Sequence, residues 1–391
     1  MRGLMKPTFA ALAAAAFVSG ANLRLFDALL PDVAGHFAVS PTAASIVVTA
    51  FTLAYGLFQI VHGPLGDRVG KLRTIAFAML IAAAGSLGSA LAPSLKLLAA
   101  LRFVTGIGAA AIIPLTLAWL ADHTPYERRQ AALGRFIGIV LIGQILGPAL
   151  GGALSHWMSW HEVFYVLATV FLMVSVVIFA TQRRAGDGQP KSAPGAGVLR
   201  GYATVIGDAW VRTVLVAVCL EGALFYGAFA YAGAYLRQRF ALSFVAIGML
   251  LALFGAGGVL YSLTVKWLLA RLREAGLVRG GALILLACYL ALPLLQDWRW
   301  TVPVFFAAGL GFYMFHNTLQ TRATEMAPQS RGTAIAVFAL SLFLGQAAGV
   351  AVYGAAIDAF GYGWSFAAAG LALLLLGNWF SARVKLHCAA H

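Results

Sequence analysis

Charge is scarce in this chain. Only 10% of its 391 residues are Asp, Glu, Lys or Arg, and just 13 are acidic, against 61% hydrophobic. That is too few polar residues to cover a soluble protein of this size, so a water-soluble globular fold is excluded. Cysteine is also rare. Cys219, Cys288 and Cys388 show no paired spacing, which argues against a disulfide framework or a thiolate metal centre. There is no phosphate-binding Gly-rich loop, no HExxH and no other metal-ligand spacing, so neither a nucleotide-driven pump nor a metalloenzyme is expected. Gly106-x-Gly108 sits inside an apolar run and is no dinucleotide fingerprint. Strict apolar–polar alternation is missing too. Continuous stretches such as Thr74–Ala92 and Phe164–Ala180 rule out a lipid-embedded β-barrel.

What is present is a series of apolar runs about 20 residues long, the length a helix needs to cross a bilayer. The mean hydropathy is +0.87. In hydrocarbon every backbone group must find its partner within the segment, so these runs are helices. We place twelve, at 8–30, 43–62, 74–92, 96–120, 131–155, 162–181, 211–235, 244–267, 278–296, 301–321, 332–356 and 362–382. The opening run carries Arg24 and Asp27 and lacks a clear small-residue cleavage site, so it reads as the first span rather than a signal peptide. The net charge of +14 would suggest nucleic acid in a soluble protein; here it orients the chain. Twenty-one of the 27 basic residues lie in the tails, loops and helix ends on the side of the two termini. Only Lys96, Arg237, Arg239 and Arg299 fall on the other side, while Arg24 and Arg102 lie within helices. Both termini are therefore expected in the cytoplasm, with the protein multi-pass in the cytoplasmic (inner) membrane. Trp157, Trp160, Trp298 and Trp300 gather at helix ends, as interfacial anchors do.

The longest polar stretch, 182–210, is rich in Gly, Pro and Ser and separates two near-equal halves, 1–181 and 211–391. The halves repeat. Leu65-x-x-Arg68 matches Leu268-x-x-Arg271, Gly106-x-Gly108 matches Gly309-x-Gly311, and Pro125-x-x-Arg128 matches Pro328-x-x-Arg331, all 203 positions apart. Ile142-Gly143-Gln144-Ile145-Leu146-Gly147 is echoed by the segment ending at Gly349, 202 positions on. The expected fold is an all-α membrane protein of twelve transmembrane helices in two pseudo-symmetric six-helix bundles. Duplicated bundles of this kind build transporters whose site lies where the copies meet.

Three motifs carry a resemblance. After helix two the chain reads Gly63-Pro64-Leu65-Gly66-Asp67-Arg68-Val69-Gly70-Lys71, a glycine-rich basic turn. It resembles the signature loop of the major facilitator superfamily, with Lys71 in place of the usual Arg. Arg102-x-x-x-Gly106-x-Gly108-x-Ala110 in helix four is similar to a second motif of that family, whose arginine is implicated in proton transfer. Gly143, Gly147, Pro148, Gly151 and Gly152 in helix five resemble the motif of its drug/proton antiporter branch. Small residues there permit close helix approach and Pro148 permits a kink, and Gly255-Ala256-Gly257-Gly258 in helix eight offers a suitable partner. The resemblance covers the whole chain. It implies a transporter rather than an enzyme, with a small-molecule substrate, the lipid bilayer as surroundings, no nucleic acid, a monomer, no bound cofactor, and protons as the coupling ion.

Ionisable residues inside spans are costly and by default functional. Asp27, Glu221, Arg102 and Arg24 are the candidates for proton coupling. Two readings of Asp27 stand: a proton site, or a structural couple with Arg24 at i, i+3. Arg102 either faces the interior or snorkels to the nearby interface. Glu221, near the middle of helix seven, either faces Arg24 or Arg102 or exchanges the coupling proton together with Asp27, the other reading being a buried structural salt bridge. The remaining polar residues within helices, Asn22, Gln59, His62, Gln144, Tyr226, Tyr313, His316, Asn317 and Gln346, are substrate-cavity candidates or interhelical hydrogen-bond formers. The expected function is proton-coupled export of a small amphipathic solute or drug by alternating access. The alternative is a dedicated importer or exporter of a sugar, amino acid or other metabolite.

Overall fold

The computed structural model describes residues 2–124, 126–185, 206–326 and 331–390, and every regular element among them is helical. Most of the linker expected at 182–210 (186–205) lies outside the described residues, as do Pro125, Pro328 and the side chains of Arg128 and Arg331. Among the described residues, nine helices are long and apolar enough to cross a membrane, or ten when the bent pair Thr8–Asn22 and Leu25–His36 counts as one span. Two of these, Phe244–Leu294 and Ala334–His387, are 51 and 54 residues long, each long enough for two crossings. Each is interrupted by one non-helical residue, Arg273 (φ 55°) and Gly361 (φ 80°). Dividing them there gives twelve spans.

The differences from the expected boundaries lie at the turns. The segment from Gly63 to Val69 is not loop: helix Ile46–Val69 runs through it, Pro64 included, and turns on Gly70 alone at φ 102°. Helix eight passes into helix nine through Arg273 alone, where a longer loop is expected. Polar sequence at these points is helix protruding beyond the apolar zone. The first span is bent by 47° between Asn22 and Leu25, because the backbone tightens to i−3 hydrogen bonds at Arg24 and Asp27.

The chain divides into two compact units, Met1–Val39 with Ile46–Arg200, and Ser40–Ser45 with Gly201–His391. Their interiors repeat one another in detail. Ala38 and Ala241, 203 apart, both adopt positive φ (51° and 52°). Two residues on, Ser40 and Ser243 cap the next helix, accepting from Ala43 N–H and Ala246 N–H. Gly70 and Arg273 are a third such pair. A Cβ on Gly106 would strike the Phe51 carbonyl, and one on Gly309 would strike that of Phe254.

The offset between the copies changes twice, from 202 to 203 along the first and seventh spans and back to 202 by Val140 and Leu342. Gly20 lies against Val140 and Gly222 against Leu342, both pairs 202 apart, yet by Ala38 and Ala241 the offset is 203. Between them, the seventh span contains a π turn, Gly222–Tyr226. A π turn accommodates one extra residue within a helix, so the second copy has absorbed an insertion immediately after Glu221.

Candidate functional site

In the first unit, the bend of the first span presents Asn22, Arg24 and Asp27 to the fourth. Arg102 is 1% exposed, so it does not snorkel. Its guanidinium lies between two rings, 4.3 Å from the centroid of Phe26 and 4.2 Å from that of Phe51. Phe164 stacks on Phe26 at 4.5 Å and closes the cage. Arg102 Nη1 donates to Asn22 Oδ1 at 3.0 Å. Burying an arginine costs about 2.5–3.5 kcal/mol on insertion scales. A desolvated cation over a ring recovers about 2 kcal/mol, so two rings and one charge-assisted hydrogen bond offset the burial. Asp27 is also 1% exposed. Its Oδ2 lies 3.5 Å from Arg24 Nη1, and Oδ1 has no hydrogen-bond partner among the described residues.

In the second unit, Glu221 ends helix Ala209–Glu221 just before the π turn and is 0% exposed. Its partner is His316 of the tenth span, Nδ1 to Oε2 at 2.7 Å. Glu221 Oε1 has no partner among the described residues. The His316 side chain is 13% exposed, stacked on Phe312 at 5.0 Å and set against Phe338 at 5.8 Å. Asn317 donates to the Tyr261 hydroxyl at 3.0 Å. Tyr226 and Tyr313 pack edge-on against Phe312. Gln346 is buried with its Oε1 unpartnered among the described residues, and its backbone lies beside Gly222.

Gln59 and Gln144 are partly buried, and Gln144 lies against Gly20. His62 Nδ1 is 2.6 Å from the Phe58 carbonyl, a bond within its own helix. Gly143, Gly147 and Gly151 meet the carbonyls of Phe17, Ala21 and Leu25, so the fifth span closes on the first along its length. Gly152 and Pro148 are buried in the same helix. Gly257 and Gly258 meet Phe306 and Tyr313 of the tenth span. The glycine faces of helices five and eight, which the sequence suggested as partners, are thus each taken up by another helix of their own unit.

At the turns, Lys71 pairs with Asp122 in the first unit, while Arg322 pairs with Glu274 and, at 3.1 Å, with Glu325 in the second. Lys71 and Glu274 are counterparts 203 apart, as are Asp122 and Glu325, so the second unit keeps the acid at one position, exchanges the lysine for an acid at the other, and ties both with Arg322, which stands where the first unit has Trp119. Asp67 and Arg68 are exposed, and Gly63 has open space around it.

Three features escaped the sequence reading: the Phe26–Phe51 cage, the Glu221–His316 pair and the Tyr261–Asn317 bond. The repeat holds a signal for the first. At an offset of 203, Phe26, Phe51 and Arg102 correspond to Phe229, Phe254 and Phe305. In the second unit Phe229 lies 5.1 Å from Phe254 and 6.0 Å from Phe305. The second copy keeps the aromatic walls and puts a ring where the first has its cation.

Buried, partially partnered charges inside a duplicated helical bundle define a membrane transporter rather than an enzyme, and the comparisons agree. Residues 12–350 match the Major Facilitator Superfamily, and the chain belongs to that family of transporters. Among its relatives is an MFS-type transporter of Bacillus subtilis, YceJ, 25% identical over 86% of each chain. The multidrug resistance protein Stp of Mycobacterium tuberculosis is 32% identical over 40% of this chain and 29% of its own. A bacterial homologue of the human lysosomal transporter Spinster has the same fold, with a TM-score of 0.85 at 17% identity, covering 99% of this chain and 98% of that one. The nucleoside transporter NupG follows at 0.77 and 14%, covering 96% and 99%.

Proposed function

We propose that this transporter exports a small amphipathic solute in exchange for protons, by alternating access, from the cytoplasmic membrane with both termini inside. The observation that carries this reading is a pair of carboxylates, Asp27 and Glu221, each within a span, each at most 1% exposed, and each with one oxygen unpartnered among the described residues. Such a group is tolerable in hydrocarbon only if its charge is compensated or cancelled by a proton. Gaining or losing that proton changes the relative cost of the states open to either face, and the population shifts accordingly. Arg24 and Arg102 hold the counter-charge in the first unit.

The helix-five glycines and the partial match to a multidrug resistance protein support export of a drug-like solute. Tyr226, Tyr313, Asn317 and Gln346, with Asn22, Gln59 and Gln144, are the proposed cavity residues. Protons serve as the coupling ion with no bound cofactor, the transporter acts as a monomer, and the 182–210 segment links its two working halves.

The test is dye extrusion in cells stripped of their own efflux systems, and proton flux in proteoliposomes under an imposed pH gradient. Asp27→Asn and Glu221→Gln are each expected to abolish uphill extrusion and the accompanying proton flux. Extrusion that survives collapse of the gradient by an ionophore overturns proton coupling. Uphill uptake of the solute overturns export.

A further inference from the structure

We infer that His316 is the port through which Glu221 gains and loses its proton, an inference that rests on Glu221 being a coupling carboxylate. Glu221 is fully enclosed, so no proton reaches it directly from a solvated space. Its one hydrogen bond among the described residues is to His316 Nδ1, and His316 is the one charged or titratable group that acts on it there. His316 retains 13% exposure, and its bond to Glu221 occupies Nδ1, leaving Nε2 as the second proton-carrying atom. Stacking on Phe312, with the two ring planes 11° apart, keeps the imidazole from swinging away.

The proton balance closes within this pair. In the unloaded state Glu221 is a carboxylate and neutral His316 carries its proton on Nδ1, donating to Oε2. A proton arrives at Nε2. The Nδ1 proton passes to Oε2, leaving a carboxylic acid whose O–H donates to the bare Nδ1 of a ring now protonated at Nε2. The heavy atoms stay 2.7 Å apart throughout, so the transfer runs along one existing hydrogen bond. Unloading is the same path reversed. Imidazole is the side chain suited to this task, because its two nitrogens exchange roles near neutral pH.

The duplication shows that this pair is peculiar to the second copy. At the 202 offset measured at Gly20 and Gly222, the counterpart of Glu221 is Ser19, whose hydroxyl bonds the Ala109 carbonyl of the fourth span. At 203, the counterpart of His316 is Ile113. The first span thus meets the fourth through a hydroxyl-to-carbonyl bond at Ala109, one turn from Ile113, where the seventh meets the tenth through an acid–imidazole pair.

The test needs no substrate. Purified full-length protein is subjected to a pH jump, and protonation of Glu221 is followed by time-resolved infrared spectroscopy as the carboxylic acid carbonyl band that Glu221→Gln removes. His316→Gln, which keeps a hydrogen-bonding side chain but cannot relay a proton, is expected to slow the band by at least about tenfold. His316→Ala is expected to be equally slow and to regain speed, saturably, with added imidazole. A wild-type rate in His316→Gln overturns the inference, as does a slow, folded His316→Ala that imidazole leaves unchanged. If Glu221→Gln leaves the whole band in place, Glu221 does not titrate, and the coupling role falls together with the port.

Discussion

Arg102 shows how a single side chain in this protein is both expensive and secured. Its two flat faces rest on Phe26 and Phe51, an arrangement that requires a planar guanidinium. A lysine keeps the charge but presents a compact ammonium that cannot fill both ring contacts and reach Asn22. Arg102→Lys is therefore expected to destabilise the protein by about 2 kcal/mol, the worth of one desolvated cation–ring contact, and to lower the melting temperature in detergent. An unchanged melting temperature would show the cage to be energetically idle. The cation itself was legible in the sequence, because a charge within an apolar run is conspicuous. The cage was not, since phenylalanine in a membrane span is commonplace and only the fold brings Phe26, Phe51 and Phe164 together. His316 stood out only as one of several polar residues that line a cavity or join helices, and nothing local announced its partner, an acid 95 positions earlier.

Helices and their turns follow the same division. The apolar runs fix where the spans lie, and the two offsets, 203 and 202, already implied a one-residue slip between the copies. That slip falls between Arg128 and Ile142; the other, absorbed by the π turn at Gly222–Tyr226, has no compositional mark beyond its glycine. The turns after helices two and eight were expected as loops because they are polar, yet each is one residue. Gly70 adopts its positive φ without strain. Its counterpart Arg273, at φ 55° and ψ 173°, sits in a region that only glycine visits freely. Arg273→Gly is expected to raise stability by about 1 kcal/mol, the lower end of the strain at such positions, read as a higher melting temperature. A fall on that substitution would mean that the arginine side chain contributes more than its backbone costs.

For the molecule as a whole, the basic residues predict which loops face which side of the membrane. With Cys219, Cys288 and Cys388 replaced by serine, a single cysteine at Lys96 is expected to react with an impermeant maleimide applied outside intact cells. One at Arg68 is expected to react only after the cells are opened. The reverse pattern would invert the proposed topology and, with it, the direction assigned to transport. The overall architecture was the most legible feature of all, because spans, halves and repeat are written in long-range periodicity that no single side chain can disturb.

The change of sign from Lys71 to Glu274 carries a further consequence. If the first copy's turn were transplanted into the second, lysine would stand opposite Arg322, cation against cation. Two carboxylates about one guanidinium would become one carboxylate, Glu325, shared between two cations. A turn moved from one copy to the other would therefore need Arg322 changed with it, so the two ends of this junction can be altered only together.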